Sequence, residues 1–533
     1  VPSPNLSCSP SWMPISDRLE AIGSAVFARI DAAKRVYHDG SSGSDKPPLV
    51  DLSIGSADLS PPQALLDTMA AAVLDRSSSS YCLQTGLRPF HAAVADWCLE
   101  RFGVAVNPDS EVQFLVGSQE GTAHLPLAVL NPGDLGLHLD PCYPSHTGGL
   151  HLAGACVQAL PLESERAWRP DLSALSAEQW NQLKLFVLGY PHNPSARVGD
   201  QEDLNRIMAL GDRHDLVIAH DNPYLDLALD GTSPCLLRTS QWRTSGIEFF
   251  SLSKGWCLGG FRLGFAVGAA PLIEALRRAK AVIDFNQSTA LQQGAIRALR
   301  EFSQWPLELH PIYRERRDRV VDTLSARGWQ VPRSEMAMYL WMPVPAAARL
   351  RGWSDGVTAA ELLTRSGVAL TPGSGFGAGG RDWLRMALVR PMDELVAAAT
   401  RLADALDGRS QPTQSPSWGR SGSLPPHRGG GCSTLASAFG SCLQQHGATA
   451  WSLAPRQTIS GWTARGDRHS AAQGHGPVGA TLALSPWWSL DQCCPALEWP
   501  GGRTGRSAWP CSGGVHGRAV GISRGVCADQ MAE

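Results

Sequence analysis

Lysine is scarce in this sequence, although basic residues as a class are not. Of 46 lysine and arginine residues only five are lysines, namely Lys34, Lys46, Lys184, Lys254 and Lys280. A lysine can lose its proton and act as a nucleophile, whereas an arginine stays charged. Lys254 therefore invites a chemical interpretation, because its segment SLSKGWCLGGFRLG also holds two serines, an arginine and four glycines. Lys280, in the helical stretch LIEALRRAK, is expected to be a solvated charge at a helix end.

Other absences exclude whole classes of protein. The net charge of −3 and the lack of a basic run predict no nucleic-acid partner. No apolar run reaches the roughly 18 residues of a membrane span, and the start, VPSPNLSCSPSW, does not have the pattern of a secretory signal. The thirteen cysteines show neither C-x-x-C nor metal-ligand spacing, which predicts free thiols and no metal site. We therefore expect a cytoplasmic enzyme.

The composition changes near residue 409. Residues 409–533 are rich in Gly, Ser, Pro and Arg, contain no lysine and show no sustained periodicity. This composition is typical of linkers and disorder, yet SPWWSLDQCCPALEW carries the Trp and Cys that disordered segments avoid. We predict an irregular low-complexity tail that is disordered or derived from a frameshift or read-through, with an independently folded module as the alternative.

The first 408 residues alternate between strand-like and helix-like segments. The periodicity predicts one helix over residues 16–40 and further helices over 61–76, 87–103, 121–130, 314–328, 358–367 and 391–408. Apolar runs predict strands over 111–117, 135–140, 184–191, 216–224, 247–253 and 262–268. This alternation indicates an α/β fold with a mostly parallel sheet between helices, followed by a smaller α+β domain.

Polar residues follow several of these strands, at the edge where ligands of open α/β sheets gather. Ser118 and Gln119 begin a helix, whose free N–H groups could bind phosphate, or Ser118 could simply cap the helix. Asn193 lies in a proline-bracketed turn and could be a turn residue only. Asp221 ends an apolar strand, with Tyr224 three residues on. Its carboxylate needs a partner, such as a protonated heterocyclic nitrogen, unless it caps a helix.

The segment around Lys254 completes this set. Ser251, Ser253 and Arg262 resemble a phosphate-binding cradle beside a nucleophilic amine, although a solvated basic loop is the alternative. A lysine for an aldehyde, an acid for a ring nitrogen and groups for a phosphate together match one cofactor, pyridoxal 5′-phosphate (PLP).

At this point the sequence resembles the class I/II aminotransferases of PLP fold type I. The pattern S-x-S-K-x7-R-x-G, the N-P turn and D-x-x-Y occur in the family's order, within residues 15–408. The segments VGSQEGTAHL, DPCYPSH and HDNPYLDL look closest to the LL-diaminopimelate aminotransferase-like branch. The turn N-P-S-A in place of N-P-T-G, and YCLQTGLRPF in place of the usual tyrosine loop, depart from the family pattern.

The resemblance implies a domain organisation. It predicts an N-terminal arm and helix over residues 1–48 that pack on the small domain. It further predicts a large PLP-binding domain with a seven-stranded sheet over 49–275 and a small domain over 276–408. It also implies a homodimer with shared active sites, in which Tyr81 reaches the phosphate of the neighbouring subunit.

The resemblance also implies roles for single residues. Lys254 would bond to the cofactor and carry the catalytic proton, and Asp221 would keep the ring nitrogen protonated. Tyr224 and Asn193 would hydrogen-bond the phenolic oxygen. Tyr143 would stack on the ring, and Gly55 and Arg385 would bind the substrate together with Asn193. The phosphate would be held by Ser118, Gln119, Ser251, Ser253 and Arg262.

Three functions fit these residues. The first is a transaminase that moves an amino group from an amino acid, of diaminopimelate type or another, to a 2-oxo acid by a ping-pong mechanism. The second is another PLP reaction on the same scaffold, such as a β-lyase. The third is a PLP-binding regulatory protein without turnover. All three need the same cofactor site, so the motifs identify the cofactor more closely than the substrate.

Overall fold

The computed structural model describes residues 15–22, 26–39 and 46–407. The predicted tail, residues 409–533, lies outside the described residues. The helices are α1 (Asp17–Ile22), α2 (Val26–Asp39), α3 (Gln63–Leu74), α4 (Arg88–Phe102), α5 (Ser118–Val129), α6 (Pro144–Leu152), α7 (Ala177–Gln182), α8 (Gln201–Arg213), α9 (Trp242–Ser245), α10 (Leu252–Gly255), α11 (Ala270–Ile283), α12 (Thr289–Glu301), α13 (Leu309–Ser325), α14 (Ala346–Leu350), α15 (Asp355–Ser366) and α16 (Met392–Asp407).

The strands form a large sheet and two smaller ones. They are β1 (Val50–Asp51), β2 (Val112–Val116), β3 (Leu135–Asp140), β4 (Cys156–Pro161), β5 (Leu183–Leu188), β6 (Val217–Asp221), β7 (Gly246–Ser251), β8 (Leu263–Gly268), β9 (Tyr339–Pro343), β10 (Val368–Ala369), β11 (Thr371–Pro372) and β12 (Trp383–Ala387). The large sheet has seven strands in the order β2-β8-β7-β6-β5-β3-β4. Its strands are parallel except β8, which is antiparallel to both β2 and β7. The predicted mostly parallel sheet is confirmed.

Both faces of the large sheet are covered. Strands β7 and β8 are buried along their full length, and successive side chains enter different hydrophobic clusters. Phe249 packs with Leu125 and Ile273 of helices α5 and α11, whereas Phe250 packs in the cluster that includes Trp97 of α4. Alternation of side chains between two covered faces explains why the strands read as unbroken apolar runs.

A second, smaller layer follows along the chain. Strands β11, β12 and β9 form an antiparallel sheet, and β1 pairs in parallel with β10. Helix α16 packs against α13 and α15, and this group shares a separate hydrophobic cluster. The predicted α+β part is therefore present. The domain bounds at residues 48, 275 and 408 stay a prediction.

Of the single helix predicted over residues 16–40, the described residues contain α1 and α2. Residues 23–25 lie outside the described part, so the continuity of this helix stays a prediction. Strand β4 was not predicted; it pairs with β3 at the edge of the sheet, and most of its residues are partly or fully exposed, so it lacks an apolar run. Within the described ranges, every helix is too short or too polar to cross a membrane.

Candidate active site

A cavity of about 370 Å³ lies where the parallel strands end. Asp221 is the last residue of β6 and Ser251 the last of β7, while helix α5 begins two residues after β2 ends. The carboxyl ends of strands that run the same way meet at one edge of a sheet, so these side chains converge. The cavity brings together every predicted site residue except Tyr81: Gly55, Ser118, Gln119, Tyr143, Asn193, Asp221, Tyr224, Ser251, Ser253, Lys254, Arg262 and Arg385.

Lys254 projects into this cavity from the short helix α10. Its Nζ donates a hydrogen bond to the carbonyl oxygen of Gly55. A Cβ at position 55 would lie 1.8 Å from the hydroxyl of Tyr339, so only glycine leaves room for this tyrosine and for the backbone to approach the amine. The amine of Lys254 is thus held at the cavity wall by a neutral backbone group.

Asp221 faces the cavity from the carboxyl end of strand β6. Its Oδ2 lies 3.1 Å from Nε2 of His146, and both side chains are buried. Its other oxygen, Oδ1, is buried and has no hydrogen-bond partner among the described residues. A buried carboxylate oxygen without a partner is costly unless a ligand supplies one. The protonated ring nitrogen of PLP would be such a partner, so Asp221 fits the cofactor.

A phosphate-binding cradle forms on the side of helix α5. Gly117, which precedes this helix, has a φ of +76°, and a Cβ there would lie 2.6 Å from Nη2 of Arg262. The guanidinium therefore lies directly against the helix N-terminus, whose N–H groups favour anions. Ser251 Oγ accepts a hydrogen bond of 3.1 Å from the backbone N–H of Ser253. Ser253 Oγ is buried without a partner among the described residues, which again fits a phosphate.

A hydrogen-bond network joins the two sheets across the cavity. Asn193 Nδ2 donates to the hydroxyl of Tyr224 over 3.3 Å, and this hydroxyl lies 3.1 Å from that of Tyr339. Burial, together with the adjacent Tyr339, raises the pKa of Tyr224 well above its usual value. Burial alone would also raise the pKa of Tyr339, but the charges of Arg385 and Lys254 lower it. Tyr339 is therefore the more acidic of the two hydroxyls.

Arg385 is the buried cation on the opposite side of the network. It donates to Asn193 Oδ1 over 2.8 Å and to the carbonyl oxygen of Ser53 over 2.7 Å. Its guanidinium carbon lies 4.4 Å from the ring centre of Tyr339 and 4.7 Å from that of Phe376. Its Nε has no hydrogen-bond partner among the described residues. A rigidly packed guanidinium with donors to spare fits a carboxylate ligand.

The remaining wall is mostly apolar. Tyr143 donates a hydrogen bond of 3.2 Å to Oε1 of Gln119, and burial raises the pKa of this tyrosine. Phe27 and Ile54 also line the cavity. Tyr81, by contrast, is 89% exposed and lies outside the cavity. The centre of its ring is 6.1 Å from the centre of the Phe285 ring.

The sequence interpretation missed His146, Tyr339 and Phe27. His146 lies three residues after Tyr143 at the start of α6, so a Y-x-x-H spacing could have indicated that the two share one face. The prediction that Lys280 is a solvated charge at a helix end is wrong. Its side chain is 0% exposed and its Nζ lies 2.9 Å from both carboxylate oxygens of Glu120.

The chain is similar to several known proteins. The family model described as aminotransferase class I and II matches residues 47–402. The LL-diaminopimelate aminotransferase of Dehalococcoides mccartyi is 34% identical over 393 residues, which is 74% of this chain and 99% of that protein. The protein of the same name from Desulforudis audaxviator is 36% identical over 391 residues, which is 73% of this chain and 97% of that protein.

Solved structures show the same fold. A probable N-succinyldiaminopimelate aminotransferase from Thermus thermophilus is 38% identical, with a TM-score of 0.66, over 72% of this chain and 100% of that one. The substrate-bound BacF structure from Bacillus subtilis is 26% identical, with a TM-score of 0.69, over 74% of this chain and 98% of that one.

Proposed function

The chain belongs to the class I and II aminotransferase family, and from this premise we propose which residues carry out the transfer. It is a PLP-dependent transaminase that moves an amino group from an amino acid to a 2-oxo acid. One observation carries the assignment of its active site: the amine of Lys254 lines the same cavity as Asp221, whose Oδ1 has no hydrogen-bond partner among the described residues. This arrangement supports the proposal, because PLP enzymes pair a Schiff-base lysine with an acidic residue at the ring nitrogen.

Lys254 and Asp221 have complementary parts in the chemistry. Bound PLP supplies an electron sink for the negative charge that develops at the α-carbon of the amino acid. As general base, the amine of Lys254 would take the proton from this carbon, and as general acid it would return the proton to C4′ of the cofactor. Asp221 holds a proton at the ring nitrogen by its negative charge, and His146 fixes the orientation of Asp221 through the 3.1 Å contact.

The polar wall orients the reactants. Asn193 and Tyr224 donate hydrogen bonds to the cofactor's phenolic oxygen, and Tyr143 covers its ring. Ser118, Gln119, Ser251, Ser253 and Arg262 hold the phosphate. Arg385 binds the α-carboxylate of the substrate with its guanidinium, while Asn193 and the backbone at Gly55 complete that subsite. The support is their placement around one cavity.

We propose that diaminopimelate-type amino acids are substrates. The support is the similarity to the LL-diaminopimelate and N-succinyldiaminopimelate enzymes. Donors are screened with 2-oxoglutarate as the acceptor, with LL-diaminopimelate, its N-succinyl form and a broad amino-acid panel. Activity with diaminopimelate forms at a kcat/KM above that of the other donors is expected. A higher value for another donor would contradict the substrate assignment alone, and no half-reaction with any donor would contradict the transaminase site.

We further propose that the enzyme is a cytoplasmic homodimer in which Tyr81 acts on the partner's phosphate. Tyr81 is exposed and neighbours other exposed apolar side chains, Leu83 and Phe285, as an interface would require. The six cysteines of the described part are all free thiols, as is usual in a reducing compartment.

Mixing two inactive variants tests the sharing of sites. A hybrid of a Lys254→Ala subunit and a Tyr81→Ala subunit contains one site with both residues intact if Tyr81 acts across the interface. The mixed variants should then recover activity that neither has alone. If Tyr81 acts within its own subunit, mixing restores nothing, and if Tyr81 has no role, Tyr81→Ala alone keeps its activity.

A further inference from the structure

An ionic cluster around the buried side chain of Lys280 lies behind the phosphate-binding turn. Nζ of Lys280, in the last turn of α11, donates to both oxygens of Glu120 at 2.9 Å and to Oδ1 of Asp284 at 3.0 Å. These bonds use all three N–H donors of the ammonium group. None of the three residues lines the cavity. We call Glu120, Lys280 and Asp284 the Lys280 brace.

One end of the brace fixes the start of helix α5. Glu120 is the third residue of this helix, and its Oε2 accepts a 2.6 Å hydrogen bond from the backbone N–H of Val116, the last residue of β2. The carboxylate therefore spans the turn at Gly117 and Ser118, and Ser118 lines the cavity. Burial would raise the pKa of Glu120, but His124 and Lys280 bring it below its usual value.

The other end fixes the segment that carries the cradle's arginine. Asp284 ends helix α11 and begins the segment 284–287. Gln287 donates from Nε2 to the carbonyl oxygens of Phe261, at 2.8 Å, and Arg262, at 3.3 Å. The segment thus holds the backbone of Arg262, while Lys280 ties the same segment to the helix that Arg262 faces.

The cluster is better explained as a brace than as a metal site. Glu120, His124 and Asp284 place ligand atoms within 4.8 Å of one another, a spacing that a metal ion could bridge. The ammonium of Lys280 already lies against both carboxylates and supplies the positive charge that they require. A buried ion pair with every donor satisfied is suited to holding elements in one arrangement.

We propose that Glu120, Lys280 and Asp284 are positioning residues that hold the N-terminus of α5 and Arg262 in register for the phosphate of PLP. This inference rests on the proposed function of the cavity. It predicts different effects on two ligands, because a cofactor without a phosphate does not contact the elements that the brace aligns. Loss of the brace must weaken the binding of PLP and leave the binding of pyridoxal unchanged.

The test compares PLP with pyridoxal on the full-length protein after its cofactor is removed. Each is titrated into the wild type, Lys280→Met, Asp284→Asn and the control Lys184→Met, and binding is followed by cofactor absorbance. Lys184 is an exposed lysine on β5. We expect the Kd for PLP to rise about 10- to 100-fold in Lys280→Met, as for loss of other outer-shell supports, and less in Asp284→Asn. The Kd for pyridoxal should stay within about twofold of the wild-type value.

Two results would overturn the brace. One is an unchanged Kd for PLP in both variants. The other is an equal loss of PLP and pyridoxal binding, which would show a general structural defect instead. Asp284→Asn keeps the Glu120–Lys280 pair and changes only the partly exposed side chain of the cluster. It therefore provides the test if Lys280→Met does not fold. A wild-type protein that binds neither compound would instead contradict the proposed function itself.

Discussion

The hydroxyl groups of Tyr224 and Tyr339 lie 3.1 Å apart in the wall of the cavity. The two residues are 115 positions apart in the chain, and their contact joins the large sheet to the small one. Asn193 donates to the hydroxyl of Tyr224, and Arg385 donates to Asn193 and lies against the ring of Tyr339. The network therefore couples the groups proposed for the cofactor to the group proposed for the substrate carboxylate.

Removing the hydroxyl of Tyr339 tests this coupling. In Tyr339→Phe the hydroxyl of Tyr224 loses one partner, so we expect kcat/KM to fall about 3- to 10-fold, the value of one hydrogen bond. Tyr313→Phe is the matched control, because Tyr313 is also buried but its hydroxyl has no partner among the described residues. Equal effects of the two substitutions in steady-state kinetics would contradict a role for the hydroxyl of Tyr339 in this coupling.

Arg385 should be sensitive even to a conservative change. Lysine keeps the charge but loses the planar fork that binds a carboxylate through two nitrogens. We expect Arg385→Lys to lower kcat/KM by about 10- to 150-fold, which corresponds to about 1.5–3 kcal/mol, chiefly through a higher KM. Arg381→Lys, at an exposed position nearby, should leave both constants unchanged. An unchanged KM for the amino donor in Arg385→Lys would contradict this role.

Asp221 should matter through its charge. Asn at this position keeps the shape and can still contact His146, but it cannot stabilise a proton at a ring nitrogen. We expect Asp221→Asn to lower kcat about 10²- to 10³-fold, as for the loss of other preorganised electrostatic groups. The exposed Asp212→Asn serves as the control. Single-turnover rates of the amino-donor half-reaction measure the effect, and a rate near that of the wild type would speak against the assignment.

Stability should fall in acid because of a buried histidine. Burial lowers the pKa of His91 from 6.5 to about 4, so the folded protein keeps it neutral where the unfolded chain takes up a proton. The resulting loss of unfolding free energy is small above about pH 7 and grows as the pH falls towards 4, reaching about 2 kcal/mol at pH 5. In His91→Gln the loss of unfolding free energy between pH 7.5 and pH 5 should be smaller by about this amount.

Urea unfolding at the two pH values measures this difference, with the exposed His38→Gln as a control that should behave like the wild type. Packing changes in His91→Gln shift both values alike and so cancel in the comparison. An equal loss in His91→Gln and wild type would show that His91 does not bear the penalty.

The sequence predicted most of the large sheet because its strands are buried on both faces and read as apolar runs. It missed β4, whose exposed edge position removes that signal. Local sequence patterns indicate buried strands well, but they do not indicate an exposed strand at the edge of a sheet.

The cavity residues were predictable where they follow a strand in a motif. Tyr339 was not, because it enters the site from β9 of the small sheet and no local pattern links it to Tyr224. Lys280 was misread for a related reason: the end of an amphipathic helix suggests solvent, and its partner Glu120 lies 160 positions earlier. Pairings between distant segments depend on tertiary packing, which a single sequence does not show.

The most direct measurement is the turnover of Lys254→Ala beside that of Lys184→Ala. Lys254 is proposed to move the proton at the α-carbon, whereas Lys184 is exposed on β5 and far from this role. We predict that kcat of Lys254→Ala falls about 10²- to 10⁴-fold, which is the usual contribution of a general base, while Lys184→Ala keeps the wild-type value. A Lys254→Ala enzyme with normal transamination would contradict the central claim.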